Sequence, residues 1–210
     1  MLQLLSAAAA GLITLPVVQS GTLEPSFKAE MNQGGAAAVQ VRLVVSPTGV
    51  PIHCSRAFVN GPIGNAEALC SMLQTRVRFA PARNSLGRPA VGVIYIWSHW
   101  ERGRWKGSAM PSWDPVDLAL QTNRAPPGFA EGSIFRLALE VDATGRVESC
   151  AVSTTGIEGQ VMDMLCHEAS AEAVAPATDG QGTAVPSIQE FLVRLTSKAT
   201  TDEIVKRLRR

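Results

Sequence analysis

The sequence lacks the short motifs that identify the common enzyme classes. It contains no G-x-S-x-G, H-E-x-x-H, P-loop or dinucleotide-binding fingerprint, and its only histidines are His53, His99 and His167. No serine lies near a histidine and a carboxylate in a recognisable order, although the members of a catalytic triad meet in space rather than in sequence. We therefore predict a binding protein with no catalytic residue and no cofactor, and keep an uncharacterised enzyme as the alternative.

The chain also lacks an excess of one charge and the usual spacings of metal ligands. Its 19 Lys and Arg balance 18 Asp and Glu, which gives no general attraction to nucleic acid or to an acidic partner. C-x-x-C and H-x-x-x-H are absent. His53 precedes Cys54 and His167 follows Cys166, but the side chains of neighbouring residues diverge on a strand and on a helix. We therefore predict no bound metal and no nucleic-acid partner.

The chain has four cysteines, and all four belong to an internal repeat. The stretch VSPTGVPIHC, which ends at Cys54, recurs 96 positions later as VDATGRVESC, which ends at Cys150. Cys70 recurs as Cys166 at the same offset, and later matches such as Pro81 with Pro176 slip by one residue. Two copies at this spacing predict two related small domains, because a solenoid needs three or more repeats to bury its core.

The beginning of the sequence predicts export. Residues from Leu2 to Val18 form a mostly apolar stretch with Pro16 near its end, and Gln19 and Ser20 follow it. This arrangement is typical of a cleavable signal peptide covering residues 1–20, with the cut after Ser20. No Lys or Arg stands in its first residues. The alternative is an uncleaved membrane anchor, for which the stretch is at the short limit of about 20 residues. We predict a periplasmic protein.

Export gives the cysteines a structural meaning. An even number of cysteines in an exported protein indicates disulfide bonds. If the two copies of the repeat are equivalent, each bond lies within one copy. We therefore predict the pairs Cys54–Cys70 and Cys150–Cys166.

The hydrophobic pattern of each copy predicts strand, strand, helix and strand. Alternating residues such as Val39 to Val45 and Phe135 to Val141 indicate half-buried strands, and the repeated Thr-Gly suits a tight hairpin turn. In the second copy Val147 is out of phase with Cys150 and Val152, which predicts a β-bulge or a strong twist. Apolar residues then recur at helical spacing: Ala66, Leu69, Cys70, Leu73 and Val77, and again Met162, Leu165, Cys166, Ala169 and Ala173.

The stretch VRFAPARNSLGRP, from Val77 to Pro89, and the order of elements around it resemble the C-terminal domain of TonB energy transducers. The resemblance covers Ala38 to Ser98 closely and Ser133 to Thr196 more loosely. It implies an α+β fold of two tandem β-β-α-β units, each a three-stranded antiparallel sheet packed on one helix. It also implies a protein partner, the extended segment of an outer-membrane transporter, which binds the last strand by strand addition.

The predicted organisation follows from these two units. Residues 1–20 are the signal, 21–37 a short linker, 38–98 the first unit, 99–132 a Trp-rich connector, 133–197 the second unit and 198–210 a basic C-terminal helix. The linker GTLEPSFKAEMNQGG is far shorter than the Pro-rich spacer of a TonB protein and could not cross a periplasm. The alternative function is therefore a stand-alone cell-envelope scaffold without transporter coupling. The tryptophans of the connector suit either a stacking surface or the joint between the units.

The third strand of the first unit is the predicted binding site. Successive side chains of a strand point to opposite faces, and in this strand both faces are apolar. The strand is therefore either covered on both faces or open to a partner. Its residues are Val91, Gly92, Val93, Ile94, Tyr95, Ile96 and Trp97. The matching strand of the second unit is expected to carry Glu190 and Arg194 outward, and charges on an edge discourage pairing. We predict that the first unit accepts an extended peptide, or a second copy of the chain to give a homodimer.

Overall fold

The computed structural model describes residues 13–19, 37–60, 64–101, 104–107, 116–123, 129–130, 132–153 and 159–197. The strands in these ranges are β1 (Val17–Val18), β2 (Ala37–Val45), β3 (Pro51–Asn60), β4 (Phe79–Ala80), β5 (Ala82–Arg83), β6 (Pro89–Glu101), β7 (Arg104–Gly107), β8 (Leu118–Thr122), β9 (Ile134–Val141), β10 (Val147–Val152), β11 (Ala177–Thr178), β12 (Ala184–Val185) and β13 (Ser187–Ser197). The helices are α1 (Gly64–Arg76) and α2 (Gln160–Ala171).

The predicted fold class is wrong, because the strands do not form two separate three-stranded sheets. Within the described residues nine strands join one mixed sheet, whose main order is β10-β9-β13-β6-β2-β3. The two halves of the chain meet where β13 runs parallel to β6, with Ser187 beside Val91 and Gln189 beside Val93. A strand at the edge of a three-stranded sheet leaves its main-chain N–H and C=O groups unpaired. Here the last strand of each half covers that edge of the other.

The register of the strands shows which positions of the two halves are equivalent. Val45 of β2 lies opposite Gly92 of β6, and Val141 of β9, the repeat of Val45, lies opposite Ser187 of β13. The third strands therefore correspond at an offset of 95 rather than 96 positions, in agreement with the slip in the sequence. By this register Tyr95 corresponds to Glu190.

The two helices lie on opposite faces of the sheet. Side chains alternate between the two faces along a strand. On β13, Ile188 joins the apolar cluster that contains Leu69 of α1, whereas Phe191 and Val193 join the cluster that contains Leu165 of α2. The second half also covers the other face of the first half: Ala177 of β11 packs with Val44 and Val93.

The predicted helical stripes are confirmed in their central positions. Helix α1 buries Ala66, Leu69 and Leu73, and α2 buries Leu165 and Ala169. The ends of the stripes differ. Met162 is exposed, and Val77 and Ala173 lie beyond the ends of their helices.

Both predicted disulfides are present. Cys54 pairs with Cys70 and Cys150 with Cys166, at Cα–Cα distances of 5.5 Å and 5.6 Å, and no cysteine is free. Each bond ties an outer strand of the sheet, β3 or β10, to the helix that packs on it. In each half the covalent link therefore joins the outermost strand to the only helix packed on it among the described residues.

The repeated Thr-Gly sequence is explained by the backbone at its glycine. Gly49 and Gly145 have φ values of 80° and 91°, where a side chain is strained. A Cβ atom on Gly49 would collide with the carbonyl oxygen of Phe79, and one on Gly145 with that of Val174. The turn of each half thus lies directly against the chain that leaves its helix.

The remaining predictions concern the bulge in β10, the connector between the halves and the two ends of the chain. The β-bulge is confirmed, since the register of β10 shifts between Val147 and Ser149. The predicted connector, 99–132, contains β7 and β8 in its described part. Residues 1–12, 20 and 21–36 of the predicted signal and linker, and the predicted helix 198–210, lie outside the described residues. Among the described helices, none is both long enough and apolar enough to span a membrane.

Candidate functional site at the strand joint

The most unusual place in the sheet is where β6 and β13 pair and then separate. Their parallel ladder runs from Val91 to Val93 on β6. Further along, β6 pairs with β7 from His99 to Glu101, and β13 pairs with β8 from Val193 to Ser197. We call the intervening residues, 94–98 of β6 and 190–192 of β13, the strand joint. Main-chain groups there need partners other than the facing strand.

Glu190 supplies one of these partners. Its Oε2 accepts a hydrogen bond from the backbone N–H of Tyr95 at 2.7 Å, and its Oε1 lies 2.6 Å from Nε of Arg136. The side chain is buried, with the residue 5% exposed, so the expectation that Glu190 points outward is wrong. Burial raises the pKa of the Glu190 carboxyl, and the Arg136 charge and the Tyr95 N–H offset that effect in part.

Asp117, just before β8, supplies a carboxylate partner to the main chain of β13. Its Oδ2 accepts a hydrogen bond from the backbone N–H of Leu192 at 2.7 Å, and its own N–H donates to the Leu192 carbonyl at 2.9 Å. Loss of water around the carboxyl raises the pKa of Asp117, and the Leu192 N–H lowers it in part. Two carboxylates therefore replace strand pairing where β6 and β13 diverge.

A polar cavity of about 220 Å³ opens beside the joint, where the two halves meet. Its lining includes Arg42, Tyr95, Asp117 and Gln189. Arg42 donates from Nη2 to Oε1 of Gln189 at 3.5 Å. Burial and the negative charge of Asp117 raise the pKa of the Tyr95 phenol, whereas Arg42 lowers it. The cavity presents a guanidinium, a phenol and a carboxylate, which suits hydrogen bonding to a small polar group.

The predicted binding strand lies at the centre of this region rather than at the edge of the sheet. From Gly92 to Trp97 it pairs with β2, and from Val91 to Val93 it also pairs with β13. Both of its faces are covered. Ile94 and Ile96 pack in the cluster under α1, and Val91 and Val93 pack with Ala177. Among the described residues no strand pairs with 94–98 on the side that faces β13.

Trp97 ends the predicted strand and is buried against an aromatic neighbour. Its ring centroid lies 6.1 Å from that of Phe58 on β3, and the residue is 4% exposed. Trp97 therefore packs inside the first half of the fold, and the side chains of the other three tryptophans lie outside the described residues.

The sequence did not indicate the role of Asp117, Arg136 or Glu190 in the joint. The one available signal was Glu190, a charged residue directly before the apolar residues Phe191, Leu192 and Val193. Its importance becomes visible only when the register aligns it with Tyr95.

The sequence also did not indicate that Ile13–Gln19, inside the predicted signal, would lie against this region. A second cavity, of about 240 Å³, is lined by Leu15 to Val18 together with Ile94 to Trp97.

Within the described residues, no three His, Cys, Asp or Glu side chains are grouped so that they could hold a metal ion. No protein-family model matches this sequence, and comparisons with curated proteins and with solved structures find no significant match.

Proposed function

We propose that the protein is an exported cell-envelope protein that acts by contacting other proteins and works without coupling to a transporter. One observation carries this proposal: the third strands of the two halves pair with each other, Val91–Val93 with Ser187–Gln189. In TonB C-terminal domains, which the sequence resembles, the last strand offers its edge to the transporter segment. Here the main-chain groups of Val91–Val93 on that side are bonded inside the molecule, to β13.

The compartment is supported by the cysteine chemistry. Two disulfides, one in each half, are compatible with an exported protein. Together with the apolar beginning of the sequence, they support the periplasm as the place where the protein acts. Each bond closes a loop of 16 positions, which suits small units that gain stability from a covalent link.

Amide hydrogen exchange of the purified protein tests whether the joint stays closed. Segments that contain Val91–Val93 and Ser187–Gln189 should exchange as slowly as β2, because their opening requires disruption of the whole sheet. A synthetic peptide from the periplasmic end of an outer-membrane transporter should leave that exchange unchanged. Fast exchange at the joint that becomes slow when the peptide is added would contradict the proposal.

Transporter coupling is the second candidate, and the strand joint favours it. On its β13 side, the backbone N–H of Tyr95 is bonded by the Glu190 side chain instead of by a strand. The carbonyl of an added peptide strand can replace that carboxylate. Deletion of the gene distinguishes the candidates. Loss of transporter-dependent uptake, restored by the wild-type gene, would favour coupling, whereas unchanged uptake supports the stand-alone protein.

A further inference from the structure

The residues from Ile13 to Gln19 lie as an extended strand beside the chain that follows α1. Thr14 and Arg83 exchange two backbone hydrogen bonds of 3.0 Å, and the Gln19 N–H donates to the Arg78 carbonyl at 3.3 Å. Between these contacts β1 pairs antiparallel with β4. This is strand addition within one chain, and its main-chain hydrogen bonds do not depend on side-chain identity.

The middle of this pairing is adapted to proline. Pro16 and Pro81 both lie in the stretch between the pairs Thr14–Arg83 and Val17–Ala80. Proline has no N–H to donate. Neither proline therefore adds a backbone donor that would need a partner there.

Side chains on the buried side of the segment fill an apolar groove. Ile13 and Leu15 are each 7% exposed and pack in the cluster that includes Ala82, Ala138 and Ile188.

Gly92 forms the floor of the groove under Pro16. A Cβ atom at Gly92 would collide with the Pro16 ring and would lie 3.0 Å from the Ala82 Cβ. Val17, in contrast, is 63% exposed. The groove therefore selects the pattern apolar, any residue, apolar, proline.

The second half closes the corresponding edge with its own side chain. Nε2 of Gln189 donates to the carbonyl of Ala175 at 3.0 Å, and Ala175 corresponds to Ala80, which pairs with Val17 in the first half. The residue equivalent to Gln189 is Ile94, whose side chain cannot donate a hydrogen bond. Among the described residues, this side-chain contact occupies the Ala175 carbonyl of the second half, whereas an added strand pairs at the equivalent Ala80 of the first half.

We propose that this groove is a peptide-binding site of the mature protein, in which the signal segment is a temporary occupant. The inference rests on the proposed export with cleavage after Ser20, which would release Ile13–Gln19. The partner is an extended segment of another exported protein with the pattern apolar, any residue, apolar, proline. It binds antiparallel to residues 78–83, with its proline over Gly92.

The test uses the mature protein, exported from the full-length gene and purified from the periplasm. Its intact mass should show a chain that starts at Gly21. A fluorescent peptide with the sequence ITLPVVQ, that of Ile13–Gln19, should bind saturably. The same peptide with Leu15→Asp should bind at least about tenfold more weakly, because a buried leucine side chain is lost. Val17→Asp is the matched control and should bind like the original peptide.

A protein variant locates the site. Gly92→Ala should weaken binding of ITLPVVQ at least about tenfold, since its methyl group occupies the position of the proline ring. Gly64→Ala, whose Cβ would have no atom within 4 Å, should bind normally, and thermal melting checks that both variants fold.

Two results would overturn the inference: a mature chain that retains Ile13–Gln19, or equal binding of the original and Leu15→Asp peptides. Neither result bears on the closed joint between β6 and β13, which the exchange experiment tests separately.

Discussion

The carboxylate of Glu190 accepts the backbone N–H of Tyr95 at 2.7 Å, and the register of the sheet makes these two residues equivalent positions of the repeat. One copy therefore uses a side chain at this position to bond the main chain of the other copy at the same position. The reverse contact, from the side chain at position 95 to the main chain at position 190, cannot form in the same way, because Tyr95 has no carboxylate. The joint is therefore asymmetric with respect to the repeat.

Glu190→Gln is expected to change how stability depends on pH. Burial raises the folded-state pKa of Glu190 above its unfolded value of about 4.3. The stabilising contribution of this group is then fully present below about pH 4.3 and is lost as the pH rises through the folded-state pKa. The variant has no titrating group here but keeps an acceptor for the Tyr95 N–H. Relative to the variant, the wild type should therefore lose stability with rising pH, by at most about 1.4 kcal/mol per pH unit.

Urea unfolding of both proteins between pH 4 and about pH 8 measures this difference. Glu168→Gln on the exposed side of α2 is the control and should follow the wild type. A difference between wild type and Glu190→Gln that stays constant over the whole range would contradict the burial of an ionisable carboxyl at the joint.

Asp142→Ser should make the turn of the second half less sensitive to acid. The Thr144 hydroxyl and the backbone N–H of Arg146 hold the pKa of Asp142 well below its ordinary value of about 3.9. The contribution of a group with a lowered pKa is present above its unfolded pKa and is lost as the pH falls below about 4. Ser46, the equivalent residue of the first half, accepts the matching Val50 N–H at 3.1 Å without a charge.

Melting temperatures measured from about pH 2 to pH 7 check this prediction. The wild type should exceed Asp142→Ser near neutral pH, and the two curves should converge in acid. Because serine already serves in the other copy, the variant should fold. Curves that run parallel down to pH 2 would show that the Asp142 charge has no effect on stability.

Gly145→Ala should destabilise the protein more than Gly182→Ala. Both glycines have positive φ, of 91° and 84°, so each alanine adds strain of about 1–2 kcal/mol. At Gly182 a Cβ would meet no atom within 4 Å, whereas at Gly145 it would collide with the Val174 carbonyl. We expect Gly145→Ala to lose about 1–3 kcal/mol more unfolding free energy than Gly182→Ala. Denaturant titration measures the two losses, and equal values would mean that the turn does not lie against Val174.

Cys70→Ala should lower the free energy of unfolding by about 2–5 kcal/mol, the usual effect of losing a native disulfide in a small exported domain. Ser71→Ala, next to it on the exposed side of α1, is the control and should change stability by less than about 0.5 kcal/mol. Guanidinium unfolding under non-reducing conditions measures both. Peptide mapping of the wild type should yield Cys54–Cys70 and Cys150–Cys166, and a Cys54–Cys150 peptide would contradict the structure.

The sequence by itself determined the local structure of each half. Cysteines at fixed offsets gave the correct disulfides, and the repeated Thr-Gly placed both tight turns. The spacing of Leu69 with Leu73, and of Leu165 with Ala169, placed the helices and their buried sides. These features are local, so the residue types that favour them lie close together in the chain and leave a readable pattern.

Only the tertiary structure decided how the halves join and where Ile13–Gln19 lies. The parallel pairing of Val91–Val93 with Ser187–Gln189 is made by main-chain groups, which every residue except proline carries in full, so no residue pattern marks it. An apolar run such as ITLPVV has the same composition whether it serves as a leader or as a buried strand. Its place depends on a groove assembled from residues far apart in the chain, among them Gly92, Ala138 and Ile188, and such a groove exists only once the two halves have folded together.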